Sequence, residues 1–197
     1  SRCGGLVTFS EDAARFLAER TGVTVAVVPP PVAPAPIAFD PDRHRSAPSV
    51  VQPGWWMSRL TTIEDLVVDG VTKVRCAPAR FARLATALAR AERRHDGWAT
   101  DPEPLRATDD HGGLTAGALD DLLVDAVVLA DLLDANADPV VLTCLSRAVP
   151  VVVPPLPAVV ALLGPGYPLH ASDPAEIRSC LVDDLGAPGL LGEVGVV

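Results

Sequence analysis

Residues 131–169 constrain the fold of this chain more than any other stretch. They read DLLDANADPVVLTCLSRAVPVVVPPLPAVVALLGPGYPL. A turn rich in Asp and Asn precedes a short helix predicted over 140–147, and a buried aliphatic strand follows at 150–154. A proline-rich loop then leads into a second helix, which the Gly-Pro-Gly sequence at 164–166 closes. A strand held between two helices by short loops is a unit of a parallel α/β sheet.

The same alternation of strand and helix signals runs through most of the chain. Strands are predicted at 6–9, 23–28, 50–52, 71–76 and 126–132, and helices at 11–20, 61–67, 119–123 and 173–183. A further helix is predicted to begin at Pro78, and a polar surface loop at 97–113. Ser10 and Asp173 stand where helix N-caps are expected, and Gly22 follows the first helix. This alternation predicts right-handed crossovers and a Rossmann-like, doubly wound parallel sheet.

Composition supports that fold class and sets the domain plan. Hydrophobic residues make up 49% of the 197 residues but aromatics only 4%, so the core must be Ala, Val and Leu, as in a parallel sheet covered by helices. We predict a strand-helix-strand unit with a proline-rich linker at 1–48. The main Rossmann-like domain is predicted at 49–185 and an irregular tail at 186–197.

Arginines are concentrated in one predicted helix, between Arg80 and Arg94. Its apolar side chains Phe81, Leu84, Ala85 and Leu88 fall on one face. The arginines predicted to face solvent are Arg83, Arg90, Arg93 and Arg94. We interpret them as a solvated face, with a small patch for an anionic partner as the alternative. The net charge of −9 argues against nucleic acid as a major partner.

The four cysteines, at positions 3, 76, 144 and 180, show neither CxxC pairing nor histidines at metal-ligand spacing. We expect reduced, mostly buried thiols in a cytoplasmic protein, with no metal and no cofactor. No apolar stretch is long enough to cross a bilayer, and no signal-peptide pattern opens the chain.

Ligands of doubly wound sheets bind at the carboxyl ends of the strands, where helix N-termini present free N–H groups. That rule marks three loops as candidate binding elements: 53–62, 133–140 and 154–158. Trp55, in the first of them, either stacks on a base or sugar or packs against the neighbouring helix.

Three sequence segments carry a family resemblance: QPGWWMSRL at 52–60, CLSRAVP at 144–150 and PLPAVV…LGPGYP at 155–168. Together they resemble the C-terminal, donor-binding half of bacterial GT-B glycosyltransferases. The TFS sequence at 8–10 with the strand near 25–29 is similar to the end of a GT-B N-terminal domain. The resemblance implies that the main domain is one half of such an enzyme.

The resemblance also implies roles for single positions. In the family, basic residues after the first strand neutralise the donor diphosphate; Arg59 falls at such a position, and Ser58 occupies one that is often basic. A glutamate that binds the ribose hydroxyls is replaced here by Thr143. Two further positions often occupied by glutamate hold Ala135 and Ala161.

These observations predict a degenerate, glycosyltransferase-like pseudoenzyme that serves as a non-catalytic binding or scaffold protein and retains weak affinity for a nucleotide-diphosphate sugar. It would act with a protein partner or as a homo-oligomer. The alternative is an active glycosyltransferase subunit whose acceptor half comes from a partner chain. No catalytic residue is assigned. The candidate ligand-binding residues are Gly54, Trp55, Arg59, Asn136, Asp138, Thr143, Pro157 and Ala158.

Overall fold

A computed structural model of the chain describes residues 4–28, 31, 32, 34, 35, 37–53, 57–78, 82–96, 106–108, 116–134 and 139–184. The predicted tail at 186–197 lies outside this part. No helix among the described residues is both long and apolar enough to cross a membrane.

The chain begins with a small strand-helix-strand unit. It consists of β1 (Leu6–Thr8), α1 (Glu11–Thr21) and β2 (Val25–Val27), with the two strands parallel. The Ser10 side chain accepts a hydrogen bond from the Ala13 amide, and Gly22 ends α1 in the left-handed region at φ 65°. Both end signals expected from the sequence are therefore confirmed.

A short helix that the sequence reading missed, α2 (Pro41–Ser46), follows the first proline-rich stretch. The Asp40 side chain caps it by accepting from the amides of Asp42 and Arg43. Its buried His44 contacts the Asp125 carbonyl oxygen through Nδ1 at 2.7 Å. The second half of the predicted linker is therefore bonded to the main domain.

The main sheet is formed by β3 (Ser49–Pro53), β4 (Thr72–Pro78), β5 (Arg106–Thr108), β6 (Ala126–Leu129) and β7 (Val151–Val152). The helices are α3 (Thr62–Asp65), α4 (Ala82–His95), α5 (Ala116–Leu123), α6 (Pro139–Arg147), α7 (Pro157–Leu163) and α8 (Pro174–Ser179), which continues as a π-helical turn at Cys180–Asp184. All strand pairs are parallel, in the order β5-β4-β3-β6-β7, as the predicted fold class requires.

Helices cover both faces of this sheet because successive side chains of a buried strand point to opposite sides. Val127 and Leu129 of β6 pack in one cluster with Ile63 of α3. Val128 packs in the other cluster with Val141 of α6. Every residue of β6 is buried, which explains why its sequence is an unbroken aliphatic run.

Two sequence-based expectations for the region after β4 are corrected. The predicted loop at 97–113 contains β5, which pairs with the end of β4. In α4 the buried side chains are Ala85, Ala89 and Arg93, whereas Leu84 and Leu88 are 46% and 40% exposed. Small alanines face the sheet because they let the helix approach it closely; Phe81 lies outside the described residues.

The described cysteines agree with the predicted thiols. Cys76, Cys144 and Cys180 are buried and free of disulfides. Burial raises the pKa of the Cys76 thiol from its ordinary 9.0 to about 11, because the charged thiolate is poorly solvated there. Cys76 is therefore an apolar core residue at neutral pH.

Candidate functional site

The loops that follow β3 and β6 are joined at the carboxyl edge of the sheet. Ser58 and Leu132 form an antiparallel bridge. On one side of it the Arg59 amide donates to the Asp131 carbonyl, and on the other the Leu133 amide donates to the Met57 carbonyl, each at 2.8 Å. Parts of two of the three loops marked from the sequence therefore form one structural unit.

Met57, at the start of this paired segment, has a strained backbone. Its φ of 55° lies in the left-handed region, which a residue with a Cβ atom rarely adopts. Such a conformation costs about 1–3 kcal/mol and is found most often where a loop has a functional geometry. The bond from Leu133 to Met57 helps to hold it in place.

A cavity of about 230 Å³ opens beside Arg59 at this edge. The described carboxylates that line it are Asp65, Glu92, Asp96, Asp131 and Asp173, and Arg59 is the one basic residue among the described lining. The Arg59 residue is exposed. No group of three or more described His, Cys, Asp or Glu side chains is arranged to hold a metal ion. Among the described residues, the site is therefore an acid-rich cleft with one cation at its rim.

A buried ionic network lies directly behind the cleft. Glu64 of α3 bonds Arg75 of β4 at 3.0 Å and Arg93 of α4 at 2.7 Å. Arg93 also bonds Asp65 at 2.8 Å. The prediction that Arg93 faces solvent is wrong, because two carboxylates from α3 neutralise it in the interior; Arg83, Arg90 and Arg94 are exposed as expected.

The network changes the proton affinities of its members. Burial is the main cause that raises the pKa of Asp65, with added repulsion from Glu64 and Asp96, while Arg93 opposes the rise. For Arg93, burial disfavours the charge, but the hydrogen bond to Glu64 and the charges of Asp65 and Glu64 outweigh it and raise the pKa. Arg93 therefore stays charged inside the protein.

The structure places the other described candidates away from the Arg59 cavity. Thr143 is half-buried in the second turn of α6, and its carbonyl accepts from the Ser146 hydroxyl at 2.9 Å. Pro157 is exposed at the start of α7, and Ala158 is buried behind it. None of these three lines that cavity. The remaining candidates, Gly54, Trp55, Asn136 and Asp138, lie outside the described residues.

Sequence reasoning missed the residues that shape the cleft from behind. Gln52 was taken as part of a strand, while Glu64, Arg75 and Glu92 received no role. The signal that could have found Gln52 and Arg75 is a polar side chain inside a run that otherwise reads as a buried strand. The signal for Glu92 is similar, because it lies four positions after Leu88 on the side of α4 that is rich in alanine and leucine.

Two larger cavities lie elsewhere in the described structure. One of about 580 Å³ is lined by His44, Val71 and Leu181, near the amino ends of β3 and β6. The other, of about 490 Å³, lies between the end of α6 and Tyr167 and is mostly apolar. The Arg59 cleft is smaller, but it lies at the strand ends where doubly wound sheets bind ligands.

No protein-family model and no curated protein sequence matches the chain. Solved structures do share its fold. S. aureus TarM, as a G117R mutant in complex with fondaparinux, alpha-GlcNAc-glycerol and UDP, aligns with 98% of this chain and 39% of its own, at 11% identity and a TM-score of 0.59. The α,α-trehalose-phosphate synthase (UDP-forming) of Burkholderia vietnamiensis aligns with 98% of this chain and 56% of its own, at 16% identity and a TM-score of 0.59.

These alignments establish the class of fold. The chain is an α/β protein with parallel sheets, and its structural neighbours are GT-B glycosyltransferases built from Rossmann-like halves. At these identities the likeness is one of fold. The chain spans between about two fifths and a little over half of the two neighbouring structures.

Proposed function

We propose that this chain is a glycosyltransferase-like domain that binds a protein partner without catalysing sugar transfer, and that it retains only weak affinity for a nucleotide diphosphate at Arg59. The observation that carries this proposal is the charge of the cleft. A diphosphate is strongly anionic, and the described lining of the cleft holds five carboxylates beside the guanidinium of Arg59. Asp65 is neutralised by Arg93, whereas each carboxylate that no cation neutralises opposes a phosphate 4 Å away by about 1–4 kcal/mol, depending on solvation.

The replaced acidic positions support the same reading. A hydrogen bond to a charged group contributes about 1.5–3 kcal/mol. Thr143 in place of a ribose-binding carboxylate is therefore expected to weaken donor binding about 10- to 150-fold. The hydroxyl of Thr143 can recover one of the two bonds, which is why we propose weak rather than absent binding.

Exposed apolar side chains in the N-terminal unit support a protein partner. Val7 and Phe16 are 68% and 55% exposed, and Phe9 and Val28 are about half exposed. A sheet of two strands is marginally stable by itself, since it buries little apolar surface. A partner that covers this unit would remove these side chains from water.

A second candidate function is an active glycosyltransferase subunit that uses a nucleotide-diphosphate sugar, with the acceptor half supplied by a partner chain. The fold likeness to TarM in complex with UDP favours it. In this case Arg59 would stabilise the leaving diphosphate.

Calorimetric titration with UDP, GDP, TDP and their sugar conjugates tests the proposal. We expect saturable binding with a dissociation constant of roughly 1 mM, and no measurable binding to Arg59→Ala. Arg15→Ala is the matched control, because Arg15 is an exposed arginine on α1. Release of the nucleotide diphosphate from its sugar conjugate by the wild type with an acceptor would overturn the non-catalytic reading and favour the second candidate.

A further inference from the structure

Six backbone polar groups between Arg59 and Ile63 are bonded by other parts of the protein. The Arg59 amide donates to the Asp131 carbonyl at 2.8 Å, and the Arg59 carbonyl accepts from Gln52 Nε2 at 2.6 Å. The Leu60 amide donates to Glu92 Oε2 at 2.8 Å, and the Leu60 carbonyl accepts from Arg75 Nη1 at 3.0 Å. The Thr61 amide donates to Glu92 Oε1 at 3.4 Å, and the Ile63 amide donates to Gln52 Oε1 at 3.1 Å. Loops usually leave such groups to water.

The side chains that hold this segment come from three different elements. Gln52 belongs to β3, Arg75 to β4 and Glu92 to α4. Gln52 and Arg75 are buried at 3% and 7% exposure, and burying polar side chains is unfavourable unless they are fully bonded. Their bonds to one short segment show that its backbone conformation is strongly determined, although the Arg59 residue within it is exposed.

Glu92 makes the most bonds to the segment. Its Oε2 accepts from the Leu60 amide, while its Oε1 accepts from both the amide and the hydroxyl of Thr61. The hydroxyl bond is 3.0 Å long. A carboxylate suits this position because both of its ends are acceptors. If residue 92 were glutamine, its NH₂ group would face a backbone N–H whichever way the side-chain amide points, so one of these hydrogen bonds would be lost.

We infer that Glu92 is the positioning residue for Arg59: it locks the Arg59–Leu60 peptide so that the Arg59 side chain leaves the backbone in one direction, at the cleft. Both polar groups of that peptide are bonded: Gln52 donates to its carbonyl oxygen, and Glu92 accepts from its N–H. Because the loop is already ordered, the binding of an anion at Arg59 does not include a free-energy cost for ordering it. The role in anion binding rests on the proposed function, whereas the locked peptide does not.

Limited trypsin digestion of the full chain tests the lock without any ligand. Trypsin cleaves after arginine only when the segment can open into an extended conformation. We expect the Arg59–Leu60 bond to resist in the wild type and to be cut at least about tenfold faster in Glu92→Ala, with Glu92→Gln intermediate. Mass spectrometry identifies the new N-terminus at Leu60.

Tyr167→Phe is the control for general loss of stability, because Tyr167 bonds the backbone of β7 rather than the Arg59 segment. It should leave the Arg59–Leu60 bond resistant. Cleavage in Glu92→Ala that is no faster than in this control would overturn the inference.

UDP titration of the same variants supplies the second measurement. If the wild type binds UDP, Glu92→Ala should bind it about threefold or more weakly than Glu92→Gln, and Tyr167→Phe should bind it as the wild type does. Both Glu92 variants lose the charge, so the difference between them reports the position of Arg59. Equal affinity in Glu92→Gln and Glu92→Ala would overturn the positioning role. Absence of UDP binding in the wild type would count against the proposed nucleotide affinity alone, and the digestion would still decide whether Glu92 locks the peptide.

Discussion

Glu64 of α3 and Arg93 of α4 form an ion pair with an N–O distance of 2.7 Å, in which the two side chains are only 10% and 8% exposed. Glu64 also pairs with Arg75, so one carboxylate lies between two buried guanidinium groups. Removing one partner of a buried ion pair lowers stability by much more than the pair itself contributes, since it leaves the other charge buried and uncompensated.

Glu64→Ala should therefore lower the free energy of unfolding by about 3–5 kcal/mol. The two arginines would repel each other in the interior, and α3 would keep only the Asp65–Arg93 pair of its two described ion pairs with α4. Urea denaturation followed by circular dichroism measures the change. Asp12→Ala, which removes an exposed partner of Arg15 on α1, is the matched control and should change stability by less than about 1 kcal/mol.

Stability should fall as the pH rises from 9 to 11, in part through Cys76. The unfolded thiol ionises near pH 9, whereas the folded thiol ionises near pH 11, so the unfolded chain loses its proton first and is favoured in that window. We expect the wild type to lose about 2 kcal/mol more than Cys76→Ser across it. Urea denaturation at several pH values measures the difference; parallel curves for the two proteins would contradict it.

Tyr167→Phe should destabilise the edge of the main sheet. The Tyr167 hydroxyl donates to the Val151 carbonyl at 3.0 Å and accepts from the Val151 amide at 3.1 Å, so it satisfies both backbone groups of this edge strand. Without it these buried groups lack partners, at a cost of about 1–3 kcal/mol. Denaturant unfolding and amide exchange at Val151 test this, and an unchanged exchange rate would refute it.

Ala148→Gly should stabilise the protein. Ala148 ends α6 with φ 53°, where its Cβ is crowded, and it is exposed, so glycine removes strain without losing packing. We expect a gain of about 0.5–1 kcal/mol in thermal denaturation. Ala47→Gly is the control: its φ of −146° suits alanine, so glycine there should destabilise.

Thr143→Glu should strengthen UDP binding about tenfold or more if the proposed nucleotide affinity is correct, since it restores a charged acceptor for ribose hydroxyls. Calorimetric titration measures the change, and Thr143→Gln, which lacks the charge, should gain less. An unaltered affinity for UDP in Thr143→Glu would show that Thr143 is not part of the nucleotide site.

Much of the fold was predictable because its signals are local. The aliphatic run at 126–132 predicted β6, and the observed strand, Ala126–Leu129, is shorter because Leu132 pairs with Ser58 instead. Asp173, Pro174 and Glu176 predicted the start of α8, and Asp173 caps it by accepting from the amides of Ala175 and Glu176. Glu176 accepts from the amide of Ser172, one residue before the N-cap that a capping box uses, at 2.7 Å. Caps and aliphatic runs act over a few residues, so they can be read without the tertiary structure.

The candidate site was less predictable. Arg59 was marked by the family resemblance, at a position after the first strand of the main domain, and it does line a cleft at the carboxyl edge. The carboxylates around it were not anticipated, because they come from α3, α4, the end of β6 and the start of α8. Only a three-dimensional arrangement brings these segments together.

The sequence by itself determined the parallel α/β architecture, since strand composition, helix caps and short connections act locally and leave few topologies open. The tertiary structure determined which charged side chains are buried and which are exposed. Arg93 and Arg94 are neighbours on one helix, yet Arg93 is buried with Glu64 and Asp65 while Arg94 faces water. The physical reason is that a charge can enter the interior only where distant elements bring its partners to it.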